Sequence, residues 1–187
     1  MKTDKAIFAF LLILLAILFR TALHVGENVE FVTTATLISS LYLGKKWAIL
    51  VPLITLLISD AIIGNTSIFL FTWSAYLFLG MVSYCGYRLR KIKSLPKIFA
   101  SLGFAISGSL WFFLWTNFGV WLLDTHHMYE KDMAGLLKSY VMGVPFFKNN
   151  LVGNLFFIFI SISAVEFIIK AKSSKFRFSL FNIKKNN

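Results

Sequence analysis

Six apolar blocks follow one another along the chain, at about residues 6–19, 31–43, 47–63, 68–87, 98–123 and 151–169. A helix that crosses a bilayer needs about 20 predominantly apolar residues. The last four blocks reach or approach that length, and the first does so if it runs on through Thr21-Ala22-Leu23. The second block is diluted by Thr33, Thr34, Thr36, Ser39 and Ser40. Small hydroxyl side chains suit close helix contact, so this block is expected to face protein rather than lipid, with a re-entrant segment as the competing reading. The only long connection, 124–149, carries Met133, Leu136, Leu137, Tyr140 and Val141 at one-face helical spacing. Asp132 is a plausible N-cap, Gly143 is expected to end the helix, and Pro145 to prevent its return. This short amphipathic helix is expected to lie flat, as a lid or as an inert interfacial helix. The fold class that follows is an all-α polytopic membrane bundle of about six transmembrane helices.

Composition agrees with the pattern. Hydrophobic residues make up 58% of the 187 and charged residues 14%, with a mean hydropathy of +0.76. A soluble domain of this size cannot hide that much apolar surface. The net charge of +11 could suggest nucleic acid, but the cations sit between apolar blocks. Fifteen Lys and Arg fall before the first block, in the 2–3 and 4–5 links and in the C-terminal tail; four fall on the opposite side, namely Arg20, Lys131, Lys138 and Lys148. The bias places both termini in the cytoplasm, so nucleic acid is not an expected partner. The basic, short first block also resembles a signal peptide, but no small-x-small site follows and Arg20 comes at once. No internal repeat divides the chain. Residues 1–170 read as one six-helix domain and 171–187 as a basic cytoplasmic tail, which rests on anionic lipid or is disordered. The single cysteine, Cys85, forms no internal disulfide.

Orientation converts sequence position into depth. Arg20 and His24 lie at the outer end of the first span, and Glu30 opens the second. Asp60 lies about one turn below the outer end of the third. Thr72 and Trp73 sit in the outer part of the fourth, Asn117 and Trp121 in that of the fifth. Asn150 and Asn154 begin the sixth, on one helix face. The inner halves hold little comparable except Glu166, which Lys170 at i+4 can meet. Ionisable groups inside a bilayer normally face protein or a cavity. The expected arrangement is therefore a polar cup open to the outside, walled by Trp73, Trp115 and Trp121. Its candidate ligand-binding residues are Arg20, Glu30, Asp60, Trp73, Asn117, Trp121, Asn150 and Asn154. The competing reading makes Arg20, Glu30 and Asp60 a structural ion-pair network and the tryptophans an interfacial belt.

Several chemistries lack their motifs. There is no GxxxxGK[ST] phosphate loop, no HExxH and no GxSxG. His126, His127 and Glu130 offer a weak metal-ligand pattern, and His24 with Glu27 a weaker one. The chain is not expected to be an enzyme or to carry a cofactor. Ser101, Ala105 and Ser109 form a small-xxx-small stripe, for internal packing or for docking another membrane subunit.

A resemblance runs from about Arg20 to Asn154. Its residues include Arg20, the stretch 28–35, Leu43-Gly44-Lys45, Pro52, Ser59-Asp60 and Gly64. Its most specific runs are Thr116-Asn117-Phe118-Gly119-Val120-Trp121, Gly135-Leu136 with Tyr140, and Pro145-Phe146-Phe147-Lys148-Asn149-Asn150-Leu151 with Gly153. On these the chain resembles a family of small bacterial integral membrane proteins of unassigned function. That family's architecture is similar to the substrate-binding S components of energy-coupling-factor (ECF) transporters. The family pattern has an Asn-Phe-x-Pro run where this chain has 28–33, and an acidic residue in place of Asn154. The first span lacks the Ala-xxx-Ala docking pattern of many S components, since Ala6, Ala9 and Ala16 are not four apart. The resemblance implies a subunit of the bacterial cytoplasmic membrane that binds a small molecule for uptake. Its implied partners are membrane lipid and separate ECF-type transmembrane and ATPase subunits. The alternative is a membrane scaffold or assembly protein with no ligand.

Overall fold

In the computed structural model every regular element among the described residues is helical. The structure describes the backbone of residues 2–23, 25–64 and 67–185, and the side chains of 3–23, 25–64 and 67–172. His24 and the side chains of the basic tail after Lys172 lie outside the described residues. The helices are α1 (Lys2–Thr21), α2 (Val32–Ile38), α3 (Trp47–Ile63), α4 (Phe69–Cys85), α5 (Ser94–Leu123) and α6 (Met133–Lys185). A π-helical turn, Ser39–Leu43, prolongs α2, and a 3-10 turn, Gly86–Lys91, prolongs α4. Three stretches are long and apolar enough to cross a membrane: Phe69–Lys91, Ser94–Leu123 and Met133–Lys172. The α2 segment and α3 are shorter apolar helices, and α1 carries Asp4 and Lys5 at one end and Arg20 at the other.

Contacts at the helix ends fix the relative directions. Lys5 Nζ donates to Leu43 O at 3.3 Å, and Arg20 Nη1 reaches Glu30 Oε2 at 3.3 Å. So α1 and the α2 segment are antiparallel and matched end for end. Arg20 also meets Asp60 near the end of α3, and Trp73 near the start of α4 meets the same carboxylate. At the opposite end Glu166 of α6 meets Tyr42 from the π turn and Lys97 from the first turn of α5. Six helices therefore alternate in direction between an Arg20 end and a Glu166 end.

The centre belongs to α2, which touches each of the other five helices. Residues 31–41 are buried without exception. The hydroxyls that weaken this block as a lipid-facing span are what let it sit there. They are small, and several bond to carbonyls: Thr36 Oγ1 to Val32 O at 2.8 Å, Ser39 Oγ to Trp47 O at 3.0 Å, and Ser40 Oγ to Ser83 O at 2.7 Å. This is the economical way to bury polar atoms. Close packing recurs between α3 and α4. Pro52 has no N–H to offer Ala48 O, and Gly80 packs against that freed carbonyl, where a Cβ would stand 2.7 Å away.

The connection before the sixth block differs from expectation. Asp132 does cap it, its Oδ1 accepting from the Gly135 amide at 2.7 Å. The helix then passes Gly143 and Pro145 without stopping and becomes α6. It is an extension of α6 rather than a separate helix lying flat. Gly135, Ser139 and Gly143 are buried and form a small-residue stripe on the side that packs against α5, while Met133, Leu137 and Val141 of the expected packing face are exposed. Gly143 serves close approach: a Cβ there would overlap the Asn117 amide. Pro145 is on the exposed side, where losing one helical hydrogen bond is tolerated.

A Gly143→Leu variant is therefore expected to be destabilised by about 1–3 kcal/mol, the usual cost of overpacking. Pro145→Ala should match or exceed the wild type. Thermal unfolding of the two variants in detergent checks the contrast; equal loss in both would mean that Gly143 does not set the α5–α6 distance.

Candidate functional site

Arg20, Glu30, Asp60 and Trp73 converge, and they do so around the guanidinium. Arg20 Nη2 donates to Asp60 Oδ1 at 2.8 Å while Nη1 reaches Glu30 Oε2. Trp73 Nε1 donates to Asp60 Oδ2 at 2.6 Å. Tyr76, one per cent exposed, donates its hydroxyl to Glu30 Oε2 at 2.7 Å. The side chains of Arg20 and Asp60 are each 7% exposed and that of Glu30 22%. Two carboxylates thus share one cation in a poorly hydrated setting, with an indole and a phenol as further donors. The Arg20 Nε atom is buried without a partner. Sequence reading missed Tyr76, although it lies three residues after Trp73 and so shares its helix face.

Asn150 and Asn154 form a second, adjoining group. Asn154 Nδ2 bonds Ser109 Oγ and Asn150 Oδ1, both at 2.9 Å. Asn150 Nδ2 donates to Asn28 O at 3.1 Å, across the loop between α1 and α2. Asn28 holds a left-handed backbone there, with φ 59°. The Ser101, Ala105 and Ser109 stripe is buried inside the bundle, so it packs internally.

Asn117, Trp121 and Trp115 lie elsewhere, and the single cup expected from the sequence does not form. Asn117 Nδ2 turns back to Phe113 O at 2.8 Å, and its amide faces Gly143 in the α5–α6 seam. Trp121 Nε1 donates to Glu130 O at 2.9 Å and braces the loop that leaves α5. Trp115 donates to Ser74 Oγ at 2.8 Å and stacks with Trp111 at 5.5 Å, bridging α4 and α5. The reason is the helical period: residues at one depth can still point to different faces. In the same loop, partial burial pushes the Asp124 carboxyl up, but the Met128 and Tyr129 amides, with Lys131 and His127, outweigh it and hold it below the ordinary value. His126 and His127 line shallow clefts of about 220 and 380 Å³. Among the described residues no three His, Cys, Asp or Glu side chains are grouped to hold a metal ion.

Glu166 also departs from expectation. Its partner is Lys97, at 2.7 Å, rather than Lys170. Tyr42 and Ser94 donate to the same carboxylate at 2.7 and 2.5 Å. Lys170, four residues along α6, is exposed.

Beside these groups lies a cavity of about 580 Å³ between α1, the α1–α2 loop and α6. Phe19, Val25 and Val29 wall one side, and Lys148, Val152 and Phe156 the other. Its floor is aromatic: Phe19 and Phe157 meet with ring centroids 4.8 Å apart, and the buried Phe31 packs against both. The polar groups frame this space rather than line it. Arg20 follows Phe19 in α1, and the Arg20–Glu30 and Asn150–Asn28 bonds fix the two residues on either side of Val29.

The match to a single family model covers residues 1–177, from α1 to beyond the Glu166 pair. The chain belongs to DUF6580, a family of unknown function. No curated protein and no solved structure matches the chain. The DUF6580 match takes in both charged centres and the cavity together, so they are parts of one family unit.

Removing one member of a buried ion pair strands the other, at a cost of about 3–5 kcal/mol. Asp60→Ala and Arg20→Met are each expected to lose stability on that scale, and the double variant to lose clearly less than the sum, as for coupled groups. Additive losses in detergent unfolding would show that the two side chains act independently.

Proposed function

We propose that this protein is a six-span membrane subunit that captures a small molecule at its Arg20 end, for uptake driven by separate ATPase subunits. In this reading the Glu166 end faces the cytoplasm of a bacterial cell and both termini lie there. Supporting it are the three long apolar helices and the concentration of Lys and Arg at the Glu166 end. The end-for-end match of α1 and α2 supports counting the short second segment as a full traverse. The likeness to ECF S components adds a fold-level analogy, which by itself does not assign function.

The observation that carries the reading is the 580 Å³ cavity, within the roughly 300–1,000 Å³ range of small-ligand sites. Of the residues expected to touch ligand, Arg20, Glu30, Asp60, Trp73, Asn150 and Asn154 act in this reading as the frame that sets the cavity wall. Asn117 and Trp121 hold the α5–α6 extension. A second reading, a ligand-free membrane scaffold, is favoured by one feature: Asp60 and Glu30 are already engaged by donors from their own chain. On the exposed side of α1, any partner subunit would meet bulky Phe10, Leu11, Leu14 and Leu18, because Ala9 and Ala16 point into the bundle.

Orientation is checked with the exposed native Cys85, at the Glu166 end of α4. A membrane-impermeant maleimide should label it in inside-out vesicles and not in intact spheroplasts; the opposite pattern would invert the topology. Capture is checked with Val152→Trp, whose indole would fill the cavity from its open wall. Native mass spectrometry should show a bound small molecule on the wild type that is absent from the variant, at unchanged melting temperature. A wild-type protein without any adduct would favour the scaffold.

A further inference from the structure

The lining of the cavity says what kind of molecule fits. Its polar side chains, Lys148 and Asn149, stand together at the start of the α6 wall. From there the wall runs through Val152 to Phe156, about 12 Å along the helix, and faces Phe19 of α1. Lys148 makes no hydrogen bond or ion pair with any described residue, so its charge is available at the mouth. The distance from Lys148 to Lys170 is about 33 Å along α6, close to the roughly 30 Å hydrocarbon thickness of a bilayer. Lys148 is thus at the level of one interface and the aromatic floor is below it, within the hydrocarbon. A ligand with hydroxyls or amides along its length would bury them against Phe19, Val152 and Phe156 with no partner. A ligand with one acidic head and an apolar tail leaves nothing unpaired.

We propose that the occupant is a long-chain amphipathic anion drawn from the outer leaflet, its acidic head on Lys148 and Asn149 and its tail between α1 and α6. The inference rests on the capture reading and names its substrate class. A fixed roof separates this groove from an ordinary lipid-covered seam between helices. Val25 and Val29 roof it, and the roof is pinned at Asn28 and Glu30 by side chains of other helices.

The test uses the full chain in phosphatidylcholine nanodiscs with a diazirine analogue of palmitate, and crosslinked peptides located by mass spectrometry. Saturable labelling of residues 148–157 and 19–29, competed by unlabelled palmitate, is expected. Lys148→Glu should raise the half-saturating concentration by about tenfold, the scale of one charge-assisted contact, and Val152→Trp should abolish the labelling. Unsaturable labelling spread along the exposed face of α1, or no effect of Lys148→Glu, would overturn the proposal. If a water-soluble molecule proves to be displaced by Val152→Trp while palmitate does not bind, the substrate class is wrong and the capture reading survives. If Val152→Trp affects neither, the capture reading falls as well.

Discussion

The arrangement of the bundle depends on where one guanidinium finds its counter-charges. A cation removed from water is tolerable only with partners at hydrogen-bond distance. Arg20 on α1 has two, and they come from the α1–α2 loop and from α3. Trp73 and Tyr76 then bind the same carboxylates, which brings α4 into register. Four consecutive segments are oriented by this one requirement. Glu166 plays the complementary part at the other end, where a carboxylate on α6 collects donors from the π turn and α5. Between the two centres the α2 segment and its π turn bury small hydroxyls and no charged side chain: Thr36, Ser39 and Ser40 bond to carbonyls, and Thr34 has no partner.

Much of this was legible in the residues. Apolar block length placed all six helices, and 47–63 coincides with α3. The threonines and serines of 31–43 correctly pointed to a helix enclosed by protein. Depth along each span brought Arg20, Glu30, Asp60 and Trp73 to one end. What depth cannot supply is azimuth. Asn117 was grouped with them because it lies at a similar height, yet its helix turns it toward Gly143. Gly143 and Pro145 read as a stop because each disfavours a helix in isolation. Tertiary packing overrides them: the glycine is needed for contact with α5, and the proline faces outward. Lys97 was hidden for a related reason. A lysine near the start of an apolar block counts as a topology signal, and nothing local shows that it reaches a carboxylate 69 positions away.

Polar residues near a pocket are easily taken for its ligands. Here they hold the backbone that forms the wall, and the cavity itself is lined mostly by valine and phenylalanine, with Lys148 and Asn149 at one end. The same residue set that looked like a hydrophilic site therefore frames a mostly apolar cavity. This division of labour explains how strong internal pairing and an open cavity coexist within a few residues of each other.

The bundle is also uneven in height. The α2 segment with its π turn rises about 18 Å and α3 about 25 Å, whereas α5 rises about 45 Å. Under the six-span reading proposed above, the α3 flank would leave hydrocarbon unmatched, and lipids beside it would have to compress or the molecule to tilt. Either response would store elastic energy in the surrounding membrane, which would make lipid composition a determinant of where this protein settles.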